Sequence, residues 1–181
     1  MRLFLAVDPP SATKKKLDEQ LEKLKKEYAF FNWVPRENFH ITLQFFGERS
    51  DTDKVKRKIE EAIYDVHELH LYSFGADLFL SHKILLFISF RREKILEEIV
   101  YKIRSSFSLQ DRTKYAPHLT IARARVPSKQ QYLNLKKKLF QLPIQIDFAI
   151  RKIHLYQSIL NGKKPIYKKI APFDLIKRNQ S

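Results

Sequence analysis

Unbroken apolar runs and strict alternations divide this chain into short strands, and helical periodicities fill the intervals between them. Leu3 to Val7 is a buried strand stopped by Pro9-Pro10. Ser11 or Thr13 then caps a helix with Leu17, Leu21, Leu24 and Tyr28 on its apolar side. Trp33-Val34-Pro35 is an extended link into a strand over residues 39–46, closed by Gly47. Asp51-Thr52-Asp53 caps a second helix bearing Val55, Ile59, Ile63 and Val66. Residues 69–80 form a further strand with a break at Gly75. The series then restarts. Ile84 to Ile88 echoes Leu3 to Val7, and a third helix carries Ile95, Ile99, Ile103 and Phe107. A strand follows over 118–124, and Pro127-Ser128 opens a fourth helix with Tyr132, Leu135 and Leu139. Strands near 144–150, 153–159 and 166–171 close the chain, with a turn at Asn161-Gly162.

The two halves share a phrase. His40-Ile41-Thr42-Leu43 opens one strand and His118-Leu119-Thr120-Ile121 opens its counterpart. Alternate side chains of a strand share a face, so His40 and Thr42 point one way, as do His118 and Thr120. Six histidines and five threonines placed at random would give roughly 0.2 His-x-Thr steps per chain. The duplication predicts an α+β fold of class bilobal, one domain over 1–181. Its lobes would be formed from internal repeats at about 1–80 and 82–181, related by a pseudo-twofold axis. Each lobe would carry an antiparallel sheet and two outer helices, with a cleft between the motif strands.

Composition narrows the chemistry. The 181 residues contain no cysteine, which excludes disulfides, thiolate metal sites and cysteine nucleophiles. No carboxylate or further histidine stands at ligand spacing around either motif, so no metal and no cofactor are implied. The opening apolar run is too short for a signal peptide and no run approaches a membrane span. A cytoplasmic location, a monomer and no membrane partner are expected. His67, His70, His82 and His154 read as exposed or structural. The net charge of +15 points to a polyanion, and most simply to nucleic acid.

Two facing imidazoles suit acid–base chemistry near neutral pH, since one ring can accept a proton while the other gives one. Hydroxyls from Thr42 and Thr120 would donate to oxygens where negative charge builds up. In-line displacement at a phosphodiester fits that constellation. Gln44, on the cleft face, and Phe46 are candidate substrate contacts. Arg123 has the opposite parity to His118 and reaches the cleft only if its strand bulges. Tyr115, Phe46 and Tyr156 are candidates to stack on a base.

The paired motifs resemble those of the two-histidine phosphoesterases, and more narrowly the LigT-like RNA 2′,3′-cyclic phosphodiesterases, also called 2′-5′ RNA ligases. The similarity extends to Met1 through Asp8, to Trp33-Val34-Pro35 and Glu37-Asn38 with Phe45-Phe46-Gly47, to Pro117 through Arg123, and to Leu155-Tyr156-Gln157-Ser158 with Pro165-Ile166-Tyr167. The resemblance implies metal-independent opening of an RNA 2′,3′-cyclic phosphate end, tRNA halves among the candidate substrates, to a 2′-phosphate. It also implies a reverse 2′-5′ ligation. It makes His40 the proton donor, His118 the proton acceptor, and Thr42 and Thr120 the holders of the phosphate. Where the family often has Lys four residues after its first histidine, this chain has Gln44. Two alternatives stand beside this reading: a phosphodiesterase for a small cyclic nucleotide of the ADP-ribose 1″,2″-cyclic phosphate type, and a non-catalytic RNA-binding module.

Overall fold

A computed structural model describes residues 1–109, 113–162 and 164–177. The elements run β1 (Arg2–Val7), α1 (Ser11–Glu27), β2 (Asn32–Trp33), β3 (Ile41–Glu48), α2 (Thr52–Ile63), β4 (Leu69–Leu80), β5 (Ile84–Phe90), α3 (Lys94–Ser106), β6 (His118–Ala124), α4 (Lys129–Gln141), β7 (Asp147–Ile150), β8 (Lys152–Asn161) and β9 (Lys164–Asp174). A 3₁₀ turn over Arg36–Asn38 leads into the first motif. The chain is a mixed α+β fold, as the alternation of apolar patterns predicts.

Local signals fix most helix starts. The Asp51 side chain accepts from the Lys54 amide, and Ser128 with Gln131 forms a capping box at α4. At α1 neither Ser11 nor Thr13 acts as the cap. Pro10 occupies that place, where its fixed φ of −54° leads into the helix without a side-chain acceptor. Val66 lies beyond the end of α2 but remains buried.

The nine strands found among the described residues join antiparallel in the order β7-β4-β5-β6-β3-β1-β8-β9, with β2 alongside β6. In this order β6, β5 and β4 on one side of the centre mirror β3, β1 and β8 on the other. The lobes, however, are not the chain halves 1–80 and 82–181. β4 leaves the first half to pair with β5, and β8 leaves the second to pair with β1. The two halves of the chain thus exchange strands across the sheet: β4 goes one way, and β8 with β9 the other. The half-sheets meet between β3 and β6 through one register pair, Ile41 with Leu119.

One continuous core lies on one face of the sheet. Leu17, Leu21 and Leu24 of α1, Ile59 of α2, Ile99 and Ile103 of α3, and Leu135 and Leu139 of α4 pack there against Leu5, Ile41, Leu119 and Ile121. Burying each such side chain is worth about 1.5–3 kcal/mol. The opposite face carries a small cluster of Phe4, Ala6 and Tyr156, with Tyr167 against it. Helices therefore shield one face and leave the other to both motif histidines. No helix among the described residues is long and apolar enough to cross a membrane.

Candidate active site

Each motif strand bulges at the third residue after its histidine. β3 pairs Thr42 with Ala6 and Gln44 with Leu5, which leaves Leu43 unpaired. β6 pairs Thr120 with Phe87 and Ala122 with Leu86, which leaves Ile121 unpaired. A bulge inserts one residue and exchanges the faces of every side chain beyond it. Leu43 and Ile121 both remain in the core.

The consequences differ between candidates. On β6 the bulge turns Arg123 onto the exposed face that carries His118 and Thr120, while Ile121, Ala122 and Ala124 are buried behind. On β3 it turns Gln44 to the helix side, contrary to its parity. Gln44 lies opposite Leu5, and its Oε1 accepts from Arg104 Nε of α3 at 3.1 Å. Phe46 lies in the core against Phe107, with ring centroids 4.6 Å apart. Phe45 takes the cleft position instead, 66% exposed with its ring 5.8 Å from Phe4. Simple alternation assigned the wrong one of two adjacent phenylalanines, and only pairing to β1 reveals it.

Tyr115 is packed against the core rather than open to a base, and its hydroxyl donates to the Thr42 carbonyl at 3.0 Å. It thereby braces one motif strand against the approach to the other. Burial pushes its phenol above the ordinary range. Tyr156 reaches the cleft face but is buried, stacked on Phe4 at 5.1 Å. Burial, followed by the nearby Asp8 carboxylate, raises its phenol too.

The two imidazoles are held alike. His40 Nδ1 lies 2.7 Å from the Asn38 carbonyl, and His118 Nδ1 lies 3.0 Å from the Ala116 carbonyl. A carbonyl only accepts, so each Nδ1 carries the hydrogen and each neutral ring has its lone pair on Nε2. In both motifs the acceptor is two residues back, a local contact that the repeat supplies twice.

Their surroundings differ. His40 sits among Phe4, Tyr156 and Tyr167, whose rings are 5.2, 6.4 and 5.1 Å away. Burial pushes its pKa below the ordinary value; the Lys14 and Arg123 charges push the same way, against the Asn38 carbonyl and Asp8. Beside it opens a cavity of about 480 Å³ lined by Asp8, Lys14, Arg36, Tyr156, Tyr167 and Lys169. Asp8 bridges Lys14 and Lys169, each at 2.5 Å. Burial alone would raise its carboxyl, but the two ammoniums hold it below the usual range. His118 rests edge-on to Phe87 at 5.6 Å and Phe79 at 5.9 Å. The apolar run of β1 conceals the cleft role of Phe4, and nothing local marks Phe79, Phe87 or Lys169. His70 is paired with Asp147 at 2.7 Å, away from both motifs. Among the described residues no three His, Asp or Glu side chains are grouped as ligands to a metal would be.

His40 and His118 thus stand at the starts of neighbouring strands in matched tethers. A model of the 2′-5′ RNA ligase superfamily matches residues 10–161. The chain belongs to that superfamily. Its curated relatives in the superfamily include proteins named RNA 2′,3′-cyclic phosphodiesterase from two organisms. That of Thermotoga maritima is 31% identical, with 93% of this chain and 92% of the relative covered. That of Methanocaldococcus jannaschii is 29% identical, with 94% and 98% covered. The fold is shared with E. coli LigT in its apo form, at a TM-score of 0.76 and 19% identity over 97% of each chain.

Proposed function

We propose that this chain hydrolyses the 2′,3′-cyclic phosphate end of RNA to a 2′-phosphomonoester, using His40 and His118 as a metal-independent acid–base pair. Relatives at full length bear the name of that activity. The observation that carries the mechanism is the matched tethering of both rings through Nδ1 to a carbonyl two residues back, which leaves Nε2 of each for proton transfer.

In this reading His118 Nε2 takes a proton from water as the water oxygen attacks phosphorus. The P–O3′ bond breaks, and O3′ receives the proton carried by His40 Nε2. The product is a 2′-phosphate beside a free 3′-hydroxyl. Thr42, Thr120 and Arg123 stabilise the charge that grows on the non-bridging oxygens. A depressed pKa makes protonated His40 the stronger acid, and an anionic phosphate beside it favours the protonated form. A 5′-hydroxyl attacking in place of water would leave a 2′-5′ linkage.

The test is a short RNA ending in a 2′,3′-cyclic phosphate, incubated with the protein and a chelator, with the product phosphate assigned by ³¹P NMR. A 2′-phosphate is expected. A 3′-phosphate would overturn the assigned bond cleavage. No reaction on RNA, with turnover of ADP-ribose 1″,2″-cyclic phosphate, would replace the substrate.

A further inference from the structure

The face of β6 that bears His118, Thr120 and Arg123 continues to Arg125, also exposed. At about 3.3 Å per residue, Arg125 lies roughly 20 Å along the strand from His118. There it enters a groove of about 800 Å³ between the end of α1, the segment after β6 and α4. The groove has no part in the two-histidine chemistry.

Its lining combines cations and aromatic rings. Arg125, Lys137 and Lys138 stand against one carboxylate, Glu27, which pairs with Lys138. Phe30 is 79% exposed, edge-on to Phe31 with centroids 4.9 Å apart, and Tyr28 adjoins both. A large apolar ring left mostly in water beside a basic groove can serve as a stacking platform, and stacking on such a ring suits any base. The positive lining suits a phosphate backbone, as does the net charge of +15. The groove borders the strand that carries Arg123. Asn32 lines the groove and lies directly opposite Arg123 in the β2–β6 ladder.

We infer that this groove holds the single-stranded RNA chain leading to the reacting end, with bases on Phe30 and backbone phosphates beside Arg125 and Lys137. The inference rests on the RNA reading above and adds to it a reason for the enzyme to prefer a polymer over a mononucleotide. A mononucleotide in the cleft would not reach the groove.

The experiment compares wild type with a variant carrying Phe30→Ala, Arg125→Glu and Lys137→Glu, all on the surface. One substrate is an RNA oligonucleotide with a 2′,3′-cyclic phosphate end, and the other is adenosine 2′,3′-cyclic phosphate. The variant is expected to raise KM for the RNA roughly tenfold and to flatten its salt dependence, with kinetics on the mononucleotide unchanged. Equal loss on both substrates, or loss on neither, would overturn the inference; the second result would leave the groove to a protein partner. A second arm reads the groove without turnover, by fluorescence anisotropy with a labelled RNA ending in a 3′-phosphate. Binding about tenfold weaker in the variant supports the inference, and equal binding overturns it. Failure of wild type to cleave either substrate while this difference persists would count against the catalytic reading alone.

Discussion

Leu43 and Ile121 are the same residue in structural terms: each is the unpaired residue of a bulge three positions after a motif histidine, and each is buried in the common core. The bulges set which later side chains join the histidines. Phe45 and Arg123, five positions after His40 and His118, come to the cleft face, while Gln44 and Ala122 turn to the core side.

Gln44→Lys tests this geometry. On an unbulged strand it would add a cation to the cleft and tighten phosphate binding. Here it places an ammonium beside Arg104 and removes a hydrogen-bond acceptor. The expected outcome is destabilisation of about 1 kcal/mol with no gain in affinity for inorganic phosphate. Thermal melts and phosphate titration measure both.

Tyr115→Phe removes the hydroxyl that donates to Thr42. The Thr42 carbonyl loses a partner, at a cost of about 1 kcal/mol. A lower Tm is expected, with kcat reduced more than KM because the positions of the motif threonine and histidines loosen. Steady-state kinetics beside the melt separates the two effects.

His40 should titrate below 6.5 in the free protein, because its burial disfavours the imidazolium and Lys14 and Arg123 add to that effect. Lys14→Gln is expected to raise the midpoint, and so is added inorganic phosphate. Histidine ring resonances followed by NMR against pH report it directly.

The same shift has a consequence for stability. His154 is also depressed, first by burial and then by Lys169. A group whose folded pKa lies below its unfolded value binds fewer protons when folded, so stability rises with pH through that window. Both contributions are complete above the unfolded value of about 6.5 and are lost as pH falls through the folded values. Chemical denaturation at pH 7.5 and pH 5 should show lower stability at the acid end, and His154→Leu should reduce the difference.

Much of the scaffold was legible because it is encoded locally. The apolar periodicities mark the strands and helices, and the two His-x-Thr phrases mark the site. What alternation could not reveal depends on partners far along the chain. Gln44 and Phe46 leave the cleft because β1 pairs past Leu43 and Phe46, a register set by a strand some forty residues earlier. Arg123 enters it for the reciprocal reason, through pairing with β5. The exchange of β4 and β8 between lobes is likewise a matter of non-local pairing, invisible to composition or period. Tyr167 and Lys169 reach His40 and Asp8 only because β9 closes onto β8 beside β1.

The most direct measurement is the single-turnover rate of cyclic phosphate opening by wild type, His40→Ala, His118→Ala and the double variant, each shown to be folded by its melt. Each single variant should lose about 10²–10⁴-fold, and the double variant far less than the product of the two losses, because the pair acts as a unit. A single variant that retains the wild-type rate would contradict the two-histidine mechanism.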